Sequence, residues 1–271
     1  MNRIRAAFER LRTDRRRALL PYFTAGYPDV ETTIELLRSV DADRCAAVEL
    51  GIPFSDPIAD GPVIQTSFSR ALAAGFRIDP LLAALAAARD LVRVPLLAMV
   101  SYSIVYRRDP RQFIVQLRRA GVEGLIVPDL ALEEAGELAE IGRIEDCPLV
   151  LIIAPTSTPE RQARIAALSE PFIYYQSLAG VTGERPALPD DLAAHVRELR
   201  AATGKPICVG FGISTPAHVA EVCRVADGAI VGSAIVRRMN AAVDRGAGRG
   251  ELVAEVADFI AELAAALPGP G

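Results

Sequence analysis

The chain has 271 residues, of which 51% are hydrophobic and 24% are charged, and its net charge at pH 7 is −4. This composition excludes a mainly disordered or collagen-like chain, and the acidic balance argues against a nucleic-acid-binding surface. No apolar run reaches the ~18 residues that a membrane span needs, and residues 1–17 lack the apolar core of a signal peptide, so we expect a cytoplasmic protein without membrane contact.

Residues 1–17 are amphipathic and predict a first helix, after which short apolar runs alternate with helical patterns. The runs are continuous rather than alternating, which is typical of parallel strands covered on both faces. They occupy residues 18–23, 46–50, 95–100, 124–127, 149–153, 172–175, 206–209 and 228–231. Helical segments between them include residues 79–91, 109–120, 132–141, 159–168, 188–202 and 216–225.

Eight strand-then-helix units favour an α/β fold, a single (β/α)8 TIM barrel over residues 1–271 with an extra N-terminal helix. An open doubly wound sheet is the alternative, but no G-x-G-x-x-G sequence follows the first run. Residues 267–271, rich in Gly and Pro, predict a frayed tail. Barrel active sites are built from the loops that follow the strands. The two longest intervals between successive apolar runs contain residues 53–65 and 177–189, which are therefore the candidate active-site loops.

Few side chains in this chain suit metal or Schiff-base chemistry. The two histidines, His195 and His218, fall in predicted helices, and the four cysteines form no C-x-x-C pair. Lys205 is the only lysine, and it precedes the seventh run, which places it at the N-terminal face of the barrel. We therefore expect no metal site, and carboxylates are the candidates for proton transfer.

The most distinctive segment, residues 48–62, holds three carboxylates among glycines and prolines. Glu49 closes an apolar strand and would project into the barrel mouth, where an ionised carboxylate is costly unless it is partnered or functional. It is either a buried Glu held by hydrogen bonds or a proton-transfer group. Asp56 and Asp60 lie on the loop that follows and either form turns or, facing Glu49, allow paired acid–base chemistry.

Glycine-rich segments follow the last three runs, at residues 180–183, 210–214 and 231–234. Glycines let backbone N–H groups approach an anion, and barrels often bind phosphate in this region; tight turns are the alternative. Apolar residues at strand ends would line an aromatic-sized pocket or belong to the barrel core: Tyr22, Met99, Ile126, Ile152 and Tyr174. The residues alone favour a metal-free lyase or isomerase that acts on a phosphorylated substrate.

Motifs spread over residues 18–238 closely resemble the tryptophan synthase alpha subunit family. The most specific is E-L-G-I-P-F-S-D-P-x-A-D-G-P, which starts at Glu49. Shorter motifs agree with the family's order: Y-F-T-A-G-Y-P at 22–28, V-P-D-L at 127–130, A-P-T at 154–156, G-V-T-G at 180–183 and G-F-G-I-S at 210–214. The resemblance implies retro-aldol cleavage of indole-3-glycerol phosphate into indole and glyceraldehyde 3-phosphate.

The resemblance also implies roles for individual residues. Glu49 matches the main acid–base residue, which takes the proton of the C3′ hydroxyl and helps to protonate indole C3. Asp60 matches the carboxylate that stabilises charge at the indole N–H, Thr182 a threonine that closes over the site, and Tyr174 a residue near Glu49. The family's phosphate-binding positions match Gly183, Gly212, Gly232 and Ser233, with Phe211 and Ile213 alongside. The aromatic-sized pocket then becomes an indole pocket formed by Tyr22, Met99, Ile126 and Ile152.

The family works with a PLP-dependent beta subunit, usually in an α2β2 assembly with an internal indole tunnel. The resemblance implies that this chain carries no cofactor itself and that Asp56 lies on the loop that contacts the beta subunit. Residues 101–106 depart from the family's Tyr-x-Asn-Pro-like run on the side of that contact. This departure motivates one alternative, a stand-alone indole-3-glycerol phosphate lyase. Intact Glu49 and Asp60 argue against the other, a non-catalytic phosphate-binding regulatory barrel.

Overall fold

The computed structural model describes residues 2–58, 60–177, 191–210 and 212–269, and strands alternate with helices throughout them. The strands are β1 (Ala18–Thr24), β2 (Val48–Gly51), β3 (Leu96–Met99), β4 (Val122–Ile126), β5 (Leu149–Val150), β6 (Ile152–Ile153), β7 (Ile173–Gln176), β8 (Ile207–Gly210) and β9 (Gly228–Val231). The helices are α1 (Arg3–Thr13), α2 (Val30–Ser39), α3 (Pro62–Ala73), α4 (Ile78–Ala87), α5 (Tyr102–Arg107), α6 (Pro110–Arg119), α7 (Ala135–Ile144), α8 (Pro159–Leu168), α9 (Leu192–Thr203), α10 (Pro216–Val222), α11 (Ser233–Asp244) and α12 (Arg249–Ala265).

The strands form one parallel sheet in the order β5-β4-β3-β2-β1-β9-β8-β7-β6. Its two outer strands, β5 and β6, are separated in the chain only by Leu151, so the sheet curls into a nearly closed barrel. The predicted (β/α)8 TIM barrel with an extra N-terminal helix is confirmed, and the open doubly wound sheet is excluded.

The fifth predicted run, residues 149–153, occupies one position of the barrel but forms two strands. Its first half pairs with β4 and its second half with β7. Between them, the Leu151 N–H donates to the Ser169 hydroxyl at 2.9 Å, while the Leu151 carbonyl accepts from the Tyr174 N–H at 3.3 Å. Because a side chain takes the hydrogen bond that a neighbouring strand would otherwise accept, the strand is interrupted and the eight predicted runs become nine strands.

Helix α1 closes the N-terminal end of the barrel. Asn2 caps the helix by accepting two backbone N–H bonds of its first turn, and the Asn2 amide donates to the Glu123 carbonyl at 2.7 Å. The apolar face of the helix packs into the barrel interior, where the ring centroids of Phe8 and Phe172 are 5.0 Å apart. A functional cavity must therefore open at the other end, where the strands finish.

The predicted position of Lys205 at the closed end of the barrel is confirmed. The Lys205 ammonium, just before β8, donates to the carbonyls of Ala166 at 2.7 Å and Ser169 at 2.8 Å. Lys205 thus lies at the N-terminal face and is held there by backbone oxygens. The four cysteines are free and buried.

Some predicted boundaries are wrong. Residues 62–65, expected in the loop after β2, form the first turn of α3, because Gly61 is the N-cap and Pro62 occupies the first helical position, where its missing N–H costs nothing. The predicted helix 79–91 ends as α4 at Ala87.

The single domain over residues 1–271 and the frayed tail at 267–271 stay predictions. No helix within the described residues combines the length and the hydropathy of a membrane span.

Candidate active site

Glu49 lies on β2 at the open end of the barrel. It pairs in register with Tyr22 of β1 on one side and Leu97 of β3 on the other, and its side chain is only 1% exposed. Neither carboxylate oxygen has a hydrogen-bond partner among the described residues. Burial removes the water that would stabilise the charge and raises the pKa of Glu49 to about 8. Glu49 is therefore largely protonated at neutral pH and close to the pKa that suits proton transfer in either direction.

Asp60 lies on the loop between β2 and α3. Its N–H donates to the Pro57 carbonyl at 3.1 Å, and its own carbonyl accepts from the Gln65 amide at 2.8 Å, so the loop backbone is tied back onto the helix. Burial, and secondly the negative charge of Asp129, raise the pKa of Asp60 to about 6. Asp129 is held in turn by the Ser101 hydroxyl at 2.7 Å and the Tyr102 N–H at 2.8 Å. At pH 7 Asp60 is thus mainly ionised, while Glu49 is mainly protonated.

Both carboxylates line one cavity at the open end of the barrel. The same cavity is lined by eight more of the predicted site residues: Tyr22, Met99, Ile152, Tyr174, Gly212, Ile213, Gly232 and Ser233. Ile64 of α3, Pro128 after β4 and Ile230 of β9 complete the wall. The carboxylates therefore face a largely apolar space.

Ile126 does not line this cavity. It is fully buried in the barrel interior, and the partly buried Met99 and Ile152 pack against the cluster that contains it. For Ile126 the core interpretation holds, because its side chain belongs to that buried cluster. Pro128 belongs to the V-P-D-L motif, but the other two unpredicted lining residues were missed, and their signals differ. Ile64 follows Pro62 and recurs at helical spacing with Phe68, which periodicity could have revealed. Ile230 lies in a continuous apolar run, which does not indicate the inward face.

Backbone N–H groups lie at another side of the cavity, where the predicted phosphate site is. Gly212 adopts φ +81°, the left-handed region that glycine enters without strain. Gly232 is the N-cap of α11 and, as a glycine, has no side chain of its own to cap the helix, whose first residue is Ser233. The free N–H groups and the helix dipole at such an end favour an anion. The predicted residues Thr182, Gly183 and Phe211 lie outside the described residues.

Two tyrosines reach across the cavity wall to glycines on neighbouring strands. A Cβ at Gly51 would lie 1.8 Å from the Tyr22 hydroxyl oxygen, and one at Gly210 would lie 2.4 Å from the Tyr174 hydroxyl oxygen. Burial, followed by the charge of Glu49, raises the pKa of Tyr174 well above its usual value. Tyr174 therefore lies near Glu49 as a neutral phenol, and only glycine leaves room for the two rings.

Asp56 lies apart from this cavity. It is exposed and accepts a hydrogen bond from the Ser55 hydroxyl. It lines a shallower, adjoining cavity, together with Ser101 and Asp129, and the neighbouring Ile58 is 80% exposed. Asp56 and Ile58 therefore lie on an exposed part of this loop, outside the central cavity. No cluster of three or more His, Cys, Asp or Glu in the described ranges is arranged to hold a metal ion.

The raised pKa of Glu49 predicts a pH-dependent stability. Between about pH 4.5 and about pH 8 the folded state keeps a proton that the unfolded state has lost, so the free energy of unfolding falls as pH rises. The slope from this one group is at most about 1.4 kcal/mol per pH unit, and it vanishes above its folded-state pKa. We expect urea unfolding between about pH 5 and pH 9 to show the wild type losing stability relative to Glu49→Gln until about pH 8. A constant difference between the two proteins would contradict the raised pKa.

Comparison with known proteins groups this chain with one family. A family model described as "Tryptophan synthase alpha chain" matches residues 8–266. The chain is similar to the tryptophan synthase alpha chain of Rhodopirellula baltica, with 47% identity over 90% of this chain and 89% of that protein. It is similar to that of Chloroflexus aurantiacus, with 42% identity over 100% of both.

Solved structures agree with these sequence relatives. Tryptophan synthase of Mycobacterium tuberculosis is similar with a TM-score of 0.86 and 33% identity, over 98% of each chain. The tryptophan synthase complex of Pyrococcus furiosus is similar with a TM-score of 0.82 and 34% identity, over 92% of this chain and 98% of that one.

Proposed function

This chain belongs to the tryptophan synthase alpha chain family, whose reaction is the cleavage of indole-3-glycerol phosphate, and we propose that its central cavity performs that reaction through Glu49 and Asp60. One observation carries the assignment of the residues. The two carboxylates share one cavity, and their pKa values are raised to about 8 and about 6. Environments that separate two pKa values in this way identify an acid and a base.

The first step is proton delivery to the indole ring. Glu49, protonated at neutral pH, gives its proton to indole C3, and the positive charge that results is shared with the indole nitrogen. Asp60, ionised at the same pH, stabilises that charge through the indole N–H. The attraction is effective because the cavity is largely apolar.

Bond cleavage follows. The Glu49 carboxylate takes the proton of the C3′ hydroxyl, whose oxygen forms the carbonyl of glyceraldehyde 3-phosphate. The C3–C3′ bond breaks, and its electrons return to the ring and restore the aromatic indole. Glu49 ends protonated, as it began, so the cycle needs no further proton donor. The ring itself accepts the electrons, and Lys205 at the opposite face has no part in the reaction.

The remaining lining residues bind the two ends of the substrate. The indole ring packs against Met99, Ile152 and Ile64, with Tyr22 beside it. The phosphate accepts hydrogen bonds from the backbone at Gly212, Gly232 and Ser233. By family resemblance, Gly183, Phe211 and Ile213 complete the phosphate site, Thr182 closes over it and Tyr174 supports Glu49.

Gly212→Val is expected to weaken the binding of glycerol phosphate by at least about tenfold, which is about 1.4 kcal/mol. The backbone there has φ +81°, and a branched side chain would both strain it and crowd the N–H groups. Isothermal titration calorimetry measures the change in Kd. Gly246→Val is the matched control, because Gly246 has φ +71° and open space around it, away from the cavity. An unchanged Kd in Gly212→Val would mean that the phosphate binds elsewhere.

The product indole passes to a partner. By family resemblance the partner is a PLP-dependent beta subunit in an α2β2 assembly in the cytoplasm, and PLP is bound by that subunit rather than by this chain. The exposed loop with Asp56 and Ile58 is the part of this chain that meets it. Ser101 is the N-cap of α5 and residues 102–106 belong to that helix; Tyr106 is 70% exposed whereas Val105 is fully buried, so the departure from the family run is only partly on the surface.

Indole release from indole-3-glycerol phosphate, measured with and without a purified beta subunit, tests this function. We expect weak cleavage that rises strongly when the beta subunit is added, despite the altered residues 101–106. Fast cleavage that the beta subunit does not change would favour the stand-alone lyase. A chain that binds glycerol phosphate but releases no indole in either condition would favour the regulatory barrel.

A further inference from the structure

Unpaired buried polar atoms concentrate in the central cavity. Five buried side-chain polar atoms in the described part of the chain lack a hydrogen-bond partner, and three of them are the Tyr22 hydroxyl oxygen and both carboxylate oxygens of Glu49. Leaving such a group unpaired is costly, so folded proteins keep few of them. A phenol that lacks an acceptor and a carboxylate that lacks a donor are complementary in one cavity.

The backbone places these two side chains next to each other. Tyr22 of β1 and Glu49 of β2 are partners in the parallel register, and both line the cavity. The Tyr22 ring crosses to β2, where its hydroxyl lies over Gly51 in the space that a Cβ would fill. Tyr22 also lies beside Gly232, with its own Cβ 3.5 Å from where a Cβ of that glycine would be. The Tyr22 ring is therefore packed against Gly51 at its hydroxyl end and beside Gly232 at its base, and the Glu49 side chain, which has more rotatable bonds, is the part that can reorient.

The ionisation states also match a donor with an acceptor. Burial, followed by the negative charge of Asp60 and, more weakly, that of Glu49, raises the pKa of Tyr22 well above its usual value. The nearby Thr24 hydroxyl lowers this pKa without reversing the shift, so the Tyr22 hydroxyl keeps its proton. The other groups near Glu49 are Asp60 on the loop, Tyr174 of β7 and Cys208 of β8. Burial likewise raises the pKa of Tyr174 and of Cys208 well above the usual values, so both stay neutral near pH 7.

We infer that Tyr22 is a positioning residue whose hydroxyl donates a hydrogen bond to the Glu49 carboxylate after Glu49 has given its proton to the indole ring. This inference rests on the proposed function. In that intermediate Glu49 is a buried anion whose two oxygens have no hydrogen-bond partner among the described residues of the resting structure, and the bond from Tyr22 stabilises it until it takes the proton of the C3′ hydroxyl. The hydroxyl thus adds a polar function to a residue that the sequence assigns only to an apolar pocket.

Tyr22→Phe tests the hydrogen bond, because it removes one oxygen and keeps the ring. We expect kcat for indole release to fall roughly 10- to 100-fold, the range for a hydrogen bond to a charged group, with KM nearly unchanged. Because the lost donor favoured the ionised carboxylate, the pKa of Glu49 should rise above its wild-type value of about 8. A carbon-13 NMR titration of the Glu49 carboxyl in the free chain measures this shift without any substrate.

Tyr175→Phe is the matched control. Tyr175 is also buried, but its side chain points to the outer face of β7, with its ring centroid 6.4 Å from that of His195. We expect neither kcat nor the Glu49 titration to change in this variant. In a Glu49→Gln background, Tyr22→Phe should cause no further loss of activity.

Unchanged kcat and an unchanged Glu49 titration in Tyr22→Phe would overturn the inference, as would an equal shift in Tyr175→Phe. Failure of the proposed function has a different signature, because the wild-type chain itself would then release no indole. In that case the titration alone decides whether Tyr22 bonds to the Glu49 carboxylate.

Discussion

Glu49→Gln is expected to lower kcat for indole release by about 10³-fold or more, while the Kd of the substrate stays close to the wild-type value. Glutamine keeps the shape of the side chain but neither gives nor takes the proton. General acid–base catalysis by one group contributes about 10² to 10⁴, and here the same group serves both transfers, so the loss should lie in the upper part of that range. Single-turnover indole release and a separate binding measurement distinguish the two effects.

The chain offers a matched control for this substitution. Glu123 of β4 is also buried, with 6% exposure, but it lies near α1 at the closed end of the barrel, where it pairs with Arg3 at 3.0 Å. Glu123→Gln should lower stability and leave kcat unchanged. If Glu49→Gln kept wild-type turnover and affinity, Glu49 would be a structural residue and the proposed mechanism would fail.

Asp60→Asn is expected to lower kcat/KM by about 10²-fold or more. The asparagine side chain still accepts a hydrogen bond from the indole N–H, but it lacks the charge that stabilises the protonated ring. In the wild type, kcat/KM should fall below about pH 6, where Asp60 takes up a proton, and above about pH 8, where Glu49 loses one. In the pH profile of kcat/KM, Asp60→Asn should keep the fall above about pH 8 (the alkaline limb) and lose the fall below about pH 6 (the acid limb).

Asp227→Asn serves as the control for Asp60. Asp227 is partly buried but lies at the closed end, where it pairs with Arg17 at 3.2 Å and Arg200 at 2.9 Å. Its replacement should leave the acid limb in place. A loss below about tenfold in Asp60→Asn, about 1.4 kcal/mol, would make Asp60 a loop-shaping residue rather than a catalytic one.

The barrel and the ends at which particular residues lie could be predicted from the sequence. Continuous apolar runs and helical periodicity are properties of residues close together in the chain, so they can be recognised without tertiary information. Once the runs are ordered as parallel strands, chain direction alone puts Glu49 at the open end and Lys205 at the closed end. The glycine-rich segments follow strands for the same reason.

Contacts between distant segments of the chain decided where a strand is interrupted and which side chains line the central cavity. The interruption at Leu151 depends on the Ser169 hydroxyl, 18 residues further along the chain. An apolar parallel strand is buried on both faces, so its sequence does not say which side chains reach the cavity. For this reason the pocket predicted from the sequence included Ile126, which lies in the core, and omitted Ile230, which lines the cavity.

The sequence by itself determined which residue types could carry the chemistry and at which end of the barrel they lie. Only the tertiary structure decided their ionisation. The pKa of Glu49 reflects burial by strands from across the whole chain, and that of Asp60 reflects burial and the charge of Asp129, which follows β4. Likewise, no local sequence pattern predicts that the Tyr22 hydroxyl lies over Gly51 or that the Glu49 carboxylate has no hydrogen-bond partner among the described residues. Desolvation and hydrogen bonding depend on neighbours in space, and folding brings those neighbours together from distant parts of the sequence.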